Sequence, residues 1–204
     1  MQPLLKLSRA IDWLNAQVGK YVIWLILAST VISAINASVR KVFNTSSNAY
    51  LEVQWYLFAA AFLLAAGYTL LNGEHVRIDV LIHRLSKRGQ IWIDVLGFTF
   101  FLTPMCIAVL WFGIPFFLQA WHSGEMSSNP GGLIRWPVYL MMPLGFALLL
   151  LQGWSELIKR IAFLKGLIPD PTEKKAAKSA EEELAEEIAR LAAEKEKAAK
   201  ASQA

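Results

Sequence analysis

Four stretches of the chain contain no Asp, Glu, Lys or Arg, and their lengths restrict the fold more than any other feature. These stretches cover residues 21–39, 53–73, 95–124 and 136–155. A helix needs roughly 20 apolar residues to cross the hydrocarbon core of a bilayer, so each stretch can supply one transmembrane helix. The extra length of the third predicts a tilted helix that ends near Trp121 and is followed by a polar loop. The predicted spans are about 21–39, 53–73, 95–121 and 136–156.

The uneven distribution of charge excludes several classes of protein. Charged residues make up 18% of the chain and hydrophobic residues 55%, whereas a typical soluble protein is about 25% charged. Nearly half of the charged residues lie in the last 35 residues, 170–204. Residues 1–169 therefore have too little charge for a soluble enzyme, a nucleic-acid binder or a disordered chain.

The positions of Lys and Arg predict the orientation of the four helices. Within residues 1–169, ten basic residues precede the first span, follow the second or follow the fourth, and three lie in the other two loops. The positive-inside rule then places both termini in the cytoplasm. We predict an all-α membrane protein of the bacterial inner (cytoplasmic) membrane, with N- and C-termini cytoplasmic.

Two segments outside the spans show helical patterns of their own. Residues 1–20 place Leu4, Leu7, Ile11 and Leu14 on one face, which predicts an interfacial amphipathic helix. Residues 76–87 predict a second interfacial helix. The segment 166–204 becomes rich in Ala, Glu and Lys after Pro171 and predicts a charged, partly helical cytoplasmic tail. The predicted organisation is an N-terminal segment (1–20), a four-helix membrane domain (21–165) and this tail.

Side chains suited to chemistry are scarce in the predicted membrane domain. The single cysteine, Cys106, excludes a disulfide or cysteine metal site within the chain, and no charged residue or histidine lies in the middle of a span. We predict no catalytic residues, no metal and no cofactor. Ala61 and Ala65 have the small-xxx-small spacing that lets membrane helices pack closely, and Trp24 and Trp111 lie deep enough to be predicted as packing residues.

Three groups of residues resemble a known family. The first is Glu52-x-x-Trp55-x-x-Phe58, and the second is the run from Gly73 through His75, Arg77 and Asp79 to Val80. The third group comprises Gly124-Glu125-x-Ser127, Pro130, Trp136-Pro137, Pro143-x-Gly145-Phe146, Gln152-Gly153 and Glu156. Over about residues 10–165, the chain is similar to the small membrane subunit (DctQ type) of tripartite ATP-independent periplasmic (TRAP) transporters. The tail has no counterpart in this resemblance.

The resemblance implies a scaffold subunit with two protein partners in addition to the lipid bilayer. In such systems a large membrane subunit moves an organic acid, driven by an ion gradient, and a periplasmic protein captures it. The resemblance implies subunit-interface or fold-fixing roles for Glu52, Trp55, Arg77, Asp79, Glu125, Trp136 and Pro137. A solvated carboxylate at a helix start remains the alternative for Glu52 and Glu125, and a snorkelling side chain for Arg77. The alternative function is an independent four-helix scaffold or a homo-oligomeric channel.

Overall fold

Four long helices form the described part of the chain. A computed structural model describes residues 1–44, 47–73, 86–170 and 188. Its four helices are long and apolar enough to cross a membrane, which confirms the predicted number of spans. They are α1 (Gln2–Phe43), α2 (Asn48–Asn72), α3 (Lys87–Ser123) and α4 (Trp136–Leu164). The described residues contain helices and no strand, so the all-α class is also confirmed for them.

The chain divides into two compact units. The first comprises Met1–Ile168, and the second comprises Pro169–Ala204, of which residues 169, 170 and 188 are described. The predicted helical tail therefore lies almost entirely outside the described residues. So do residues 76–87 of the second predicted interfacial helix, except for Ser86 and Lys87.

Helix α1 is continuous from the N-terminal segment into the first span. It passes through position 20 without a break, and one of its faces is buried at intervals of three or four residues. The buried residues of that face are Ser8, Ile11, Asn15, Gly19 and Val22. Of the four residues that the sequence placed on an apolar face, Ile11 is buried, while Leu4, Leu7 and Leu14 are exposed. The face that packs in the bundle is thus partly polar.

Helices α2 and α4 come close enough for their backbones to touch at a glycine. A Cβ atom added to Gly145 of α4 would lie 2.5 Å from the carbonyl oxygen of Leu63 in α2. A Cβ on Gly67 would overlap the amide of Asn15 in α1 and lie 3.2 Å from the carbonyl oxygen of Leu148. Only glycine permits this approach, as is common where membrane helices cross.

The two alanines predicted to pack helices have different surroundings. Ala61 is 3% exposed and lies inside the bundle. Ala65 is partly buried and lines a groove between α1, α2 and α4. The deep tryptophans depart from expectation, because Trp24 is 66% exposed and Trp111 is 73% exposed. The prediction that they pack within this chain is wrong; both present their rings to the surroundings of the bundle.

Helix α3 contains one turn of π-helix before its first proline. The turn spans Phe98–Leu102, between Lys87–Gly97 and Thr103–Ser123. Pro104 has no backbone N–H to donate, and the wider turn is a common way to accommodate such an interruption. The hydroxyl of Thr103 donates to the Phe98 carbonyl oxygen at 2.8 Å, so this carbonyl has a side-chain hydrogen-bond partner within the wider turn.

The loop between α3 and α4 is held by its own backbone. Gly124 ends α3 with a left-handed φ of 61°, a conformation that glycine adopts without strain. The Ser127 N–H then donates to the Leu133 carbonyl at 2.8 Å, and the Arg135 N–H donates to the Glu125 carbonyl at 2.9 Å. These bonds fold residues 124–135 back on themselves over the start of α2.

Candidate interaction surfaces and the polar clusters beneath them

The carboxylate of Glu52 holds the α3–α4 loop against α2. Glu52 lies in the first turns of α2 and is 4% exposed. It accepts hydrogen bonds from the hydroxyl of Ser127, from Asn129 Nδ2 at 2.8 Å and from the Leu133 N–H at 2.7 Å. We call Glu52 and these three residues the loop-end cluster. Asn48, one turn earlier, adds a bond from its Nδ2 to the Pro130 carbonyl at 3.1 Å.

A second carboxylate of the same loop makes a partly exposed ion pair. Arg135 Nη1 lies 2.9 Å from Glu125 Oε1, and their side chains are 34% and 41% exposed. Arg135 also donates to the Tyr139 hydroxyl at 3.3 Å. That hydroxyl and the Glu125 carboxylate raise the pKa of Arg135, which keeps its guanidinium charged. An ion pair so open to solvent contributes little to stability. Because both side chains are partly exposed, their charges are accessible to another molecule.

Aromatic side chains lie at both ends of the α3–α4 loop and on α2 beside Glu52. The rings of Trp121 and Trp136 meet edge to face with centroids 4.5 Å apart, which joins the end of α3 to the start of α4. Pro137 occupies the first turn of α4, where its missing N–H is tolerated. Trp55, one turn beyond Glu52 on α2, is 64% exposed. The loop is therefore bounded by one pair of tryptophan rings, and Trp55 is exposed on α2.

The opposite end of the bundle contains a buried ion-pair network that the sequence did not predict. At its centre, Arg160 of α4 is 2% exposed. Its Nε lies 2.8 Å from Asp94 Oδ2 of α3, and its Nη1 pairs with Glu156 one turn earlier. The guanidinium also lies over the Phe98 ring, 4.7 Å from the centroid, a favourable cation–π geometry. One side chain thus joins α4 to the first part of α3 and to the first residue of its π turn.

A lysine extends this network to α1. Lys159 Nζ lies 3.0 Å from Asp12 Oδ2 and 2.6 Å from Glu156 Oε1. We call these five charged residues (Asp12, Asp94, Glu156, Lys159 and Arg160) the terminal-end network. It brings three carboxylates and two cations together on three helices.

Uncharged polar side chains continue the terminal-end network between α1 and α4. Gln152 is fully buried; it donates to Asp12 Oδ1 at 2.9 Å and accepts from Asn15 Nδ2 at 3.0 Å. The hydroxyls of Ser8 and Ser155 lie 2.7 Å apart. The buried polar face of α1 therefore meets a matching polar face on α4, which fixes how the two helices align.

The spacing of the charged residues of this network is visible in the sequence, but their basic members also fit a different interpretation. Glu156, Lys159 and Arg160 share one helical face at three- and four-residue spacing, and Asp12 and Asn15 do the same on α1. The two basic residues were counted as topology signals because they follow an apolar run. Only the pairing of helices distinguishes a buried arginine from one at the membrane surface.

The predicted site residues are not all brought together. Glu52, Glu125, Trp136 and Pro137 lie at the loop end, with Trp55 exposed beside them. Arg77 and Asp79 lie outside the described residues, so their roles stay predictions. Within the part of the chain that the structure describes, no group of three His, Cys, Asp or Glu is arranged to hold a metal ion.

Together these observations define a class: a multi-pass α-helical membrane protein whose buried charges lie at the two ends of the bundle. A sequence model of the DctQ component of tripartite ATP-independent periplasmic transporters matches residues 29–163. The chain belongs to this family of transporter components. No curated protein and no solved structure matches the chain. The family match begins inside α1, so Asp12 and Asn15 lie outside it.

Replacing Glu52 by alanine is expected to release the 124–135 loop, because the Leu133 N–H and the Asn129 amide lose a charged acceptor. We expect a melting temperature several degrees lower in detergent and faster protease cleavage in this loop. Glu125→Ala is the matched control, since its carboxylate is half open to solvent, and its shift should be within about 1 °C. Equal effects of the two substitutions would show that Glu52 does not hold the loop.

Proposed function

We propose that this chain is the accessory scaffold subunit of a TRAP transporter that imports organic acids, and that it carries no substrate route of its own. The observation that supports this most is where the buried charges lie. Arg160, Glu156 and Glu52 are each at most 4% exposed, and each is engaged with other residues of this chain at one end of the bundle. The central parts of the four spans contain no charged residue. Ion and proton pathways usually need such groups at mid-membrane.

The exposed surface of the bundle is suited to lipid and to a membrane partner. Helix α2 presents Trp55, Phe58 and Phe62 in one row, and α3 presents Trp111 and Phe112, each at least 63% exposed. Rows of exposed aromatic side chains on a membrane helix offer large contact areas with few polar groups. On this proposal, part of the surface packs against a large, ion-gradient-driven membrane subunit and enlarges its fixed scaffold.

The orientation follows from the basic residues. The positive-inside distribution of Lys and Arg supports cytoplasmic termini in the bacterial inner membrane. The terminal-end network then lies toward the cytoplasm, and the loop-end cluster toward the periplasm. There, Glu125 and Arg135 expose one carboxylate and one guanidinium to a periplasmic substrate-binding protein.

Reconstitution in liposomes tests this division of roles. The probes are radiolabelled carboxylates, namely a dicarboxylate, a keto acid and a sugar acid, offered with the binding protein and an inward sodium gradient. We expect uptake of at least one probe only when this chain and the large subunit are both present. Uptake by this chain alone would contradict the accessory role and favour the alternative of an independent channel.

Arg77 is proposed to support the partner interface, because it lies in the run from Gly73 to Val80, one of the three groups of residues that resemble the family. Arg77→Ala should lower recovery of the large subunit in a pull-down from mild detergent by several-fold. Arg88→Ala is the control, since Arg88 is an exposed arginine at the start of α3. Unchanged recovery together with unchanged uptake would remove this role from Arg77.

A further inference from the structure

Three basic side chains and one tryptophan share an outward face of α1. At about 100° per residue, Lys6, Arg9 and Lys20 lie within about 60° of one another around the helix, and Trp13 lies between them. All four side chains are exposed. The buried residues of α1 lie on the opposite side of the helix. We call these four residues the basic face of α1.

The cations of the basic face have no counter-charge in the part of the chain that the structure describes. Their side chains form no hydrogen bond or ion pair with a described residue. Asp12 is the one acidic residue in the sequence of α1, and it pairs with Lys159. Asp94 and Glu156 are engaged by Arg160. The carboxylates of the terminal-end network are thus used inside the bundle, and the basic face keeps its positive charge.

Helix α4 shows where the edge of the membrane lies against α1. The charge-free run of α4 ends at Ser155, whose hydroxyl donates to Asp12 Oδ1 at 2.7 Å. Gln152, about one turn toward the middle of the span, accepts from Asn15 Nδ2 at 3.0 Å. Because charged residues are rare where a helix crosses the hydrocarbon, the end of this run places the edge of the hydrocarbon near Asp12.

Helix α2 gives the same level by a separate contact. Its charge-free run ends at Gly73, five residues beyond Tyr68. A Cβ on Gly19 of α1 would lie 2.3 Å from Cγ of Tyr68, so these two residues are level. Helices α1 and α2 run in opposite directions across a short loop, and five residues back from Gly19 is position 14. The exposed Trp13 therefore lies at the edge of the hydrocarbon, where tryptophan is enriched.

The cations of the basic face lie on both sides of this level. Lys20 is seven residues from Trp13 and Arg9 is four residues from it, which is about 10 Å and about 6 Å along the helix axis. Lys20 is on the membrane side, where an exposed ammonium is costly unless its long side chain reaches an anion. Arg9 is on the aqueous side. The headgroup layer, just outside the hydrocarbon, lies between these two cations.

We propose that the basic face of α1 binds anionic phospholipid, with Arg9 and Lys20 contacting headgroup phosphates from the two sides of Trp13. A row of cations without intervening carboxylates matches the repeated anions of a lipid surface better than a single protein carboxylate. Leu7 and Leu14 are exposed on the adjoining face and offer contacts to acyl chains, as in amphipathic interfacial helices. This proposal is independent of the role in transport, because it uses no contact with another subunit.

The test compares phosphatidylglycerol with phosphatidylcholine of the same acyl chains, bound to the full chain in neutral detergent and measured by native mass spectrometry. We expect tighter binding of phosphatidylglycerol, with a preference that shrinks as ammonium acetate is raised. One basic residue near a lipid surface contributes about fivefold in affinity. Arg9→Gln combined with Lys20→Gln should therefore weaken phosphatidylglycerol binding about 25-fold and leave phosphatidylcholine binding unchanged.

Two further variants serve as controls. Arg40→Gln combined with Lys41→Gln also removes one exposed arginine and one exposed lysine from α1, but at its other end, and should change the affinity for phosphatidylglycerol less than twofold. Arg9→Lys combined with Lys20→Arg keeps both charges and should keep the affinity. Because all four positions are exposed, we expect every variant to fold.

Three outcomes would overturn the proposal. The first is equal affinity of the wild type for the two lipids, and the second is an equal loss in the Arg40 and Lys41 control. The third is wild-type affinity for phosphatidylglycerol in Arg9→Gln with Lys20→Gln. If that variant then recovered less of the large subunit, the basic face would be assigned to a carboxylate of a protein partner.

Discussion

Replacing Arg160 by alanine should destabilise the bundle by about 3–5 kcal/mol, the usual effect of removing one partner from a buried ion pair. Asp94 and Glu156 would lose their bonds to the guanidinium, and Phe98 would lose its cation–π contact. The loss arises mainly because three carboxylates would then share one cation, Lys159, not because the intact network is strongly stabilising. The measurement is unfolding in detergent, followed by circular dichroism against temperature or denaturing surfactant.

Arg88→Ala provides the matched comparison for Arg160→Ala. Arg88 is also an arginine of a membrane-spanning helix, but it is exposed, and we expect a change below about 0.5 kcal/mol. If both variants unfold at the same point, the terminal-end network does not hold α3 and α4 together. A large effect confined to Arg160→Ala would support its role in fixing the α1, α3 and α4 arrangement.

Gly145→Leu should separate α2 from α4, with a loss of about 1–3 kcal/mol or more. The new Cβ would lie 2.5 Å from the Leu63 carbonyl oxygen and 2.8 Å from its carbonyl carbon. These are backbone atoms of a helix, so relief requires the whole helix to move. The same unfolding assay measures the effect, and recovery of the large subunit reports whether the altered bundle still assembles.

Gly97→Leu is the control for the glycine substitution. A Cβ at Gly97 in α3 meets no atom within 4 Å, and leucine has a higher helix propensity than glycine by up to about 1 kcal/mol. We therefore expect unchanged or slightly raised stability. If both variants lose the same stability, the effect of Gly145→Leu does not come from the close approach of α2 and α4.

The four spans were predictable because charge is excluded from the bilayer core, and runs such as 53–73 show that exclusion directly. The polar contacts at the ends of the bundle were not predictable from one sequence. Lys159 and Arg160 look alike after an apolar run, yet only the approach of Asp94 and Glu156 buries Arg160 to 2% exposure. The spacing of these side chains shows that they share one helical face, but it does not show which helix that face meets.

Small residues and tryptophans also show that the sequence predicts the spans better than it predicts which side chains are buried between them. Ala61 and Ala65 have the spacing of a packing motif, but the closest backbone approach occurs at Gly145, with a second at Gly67. Trp24 lies deep in its span and was expected to be covered, yet most of its surface is exposed. In a bilayer, depth along the sequence does not determine burial, because lipid accepts an apolar side chain as readily as the protein interior does.

Affinity purification of the full-length chain from its native membrane in mild detergent tests directly whether it is a subunit of a TRAP transporter. We expect a large TRAP membrane subunit, identified by mass spectrometry, to elute with it, and we expect Gly145→Leu to lower its recovery while Gly97→Leu does not. Elution of this chain alone, or only with further copies of itself, would contradict the account and indicate an independent four-helix membrane protein.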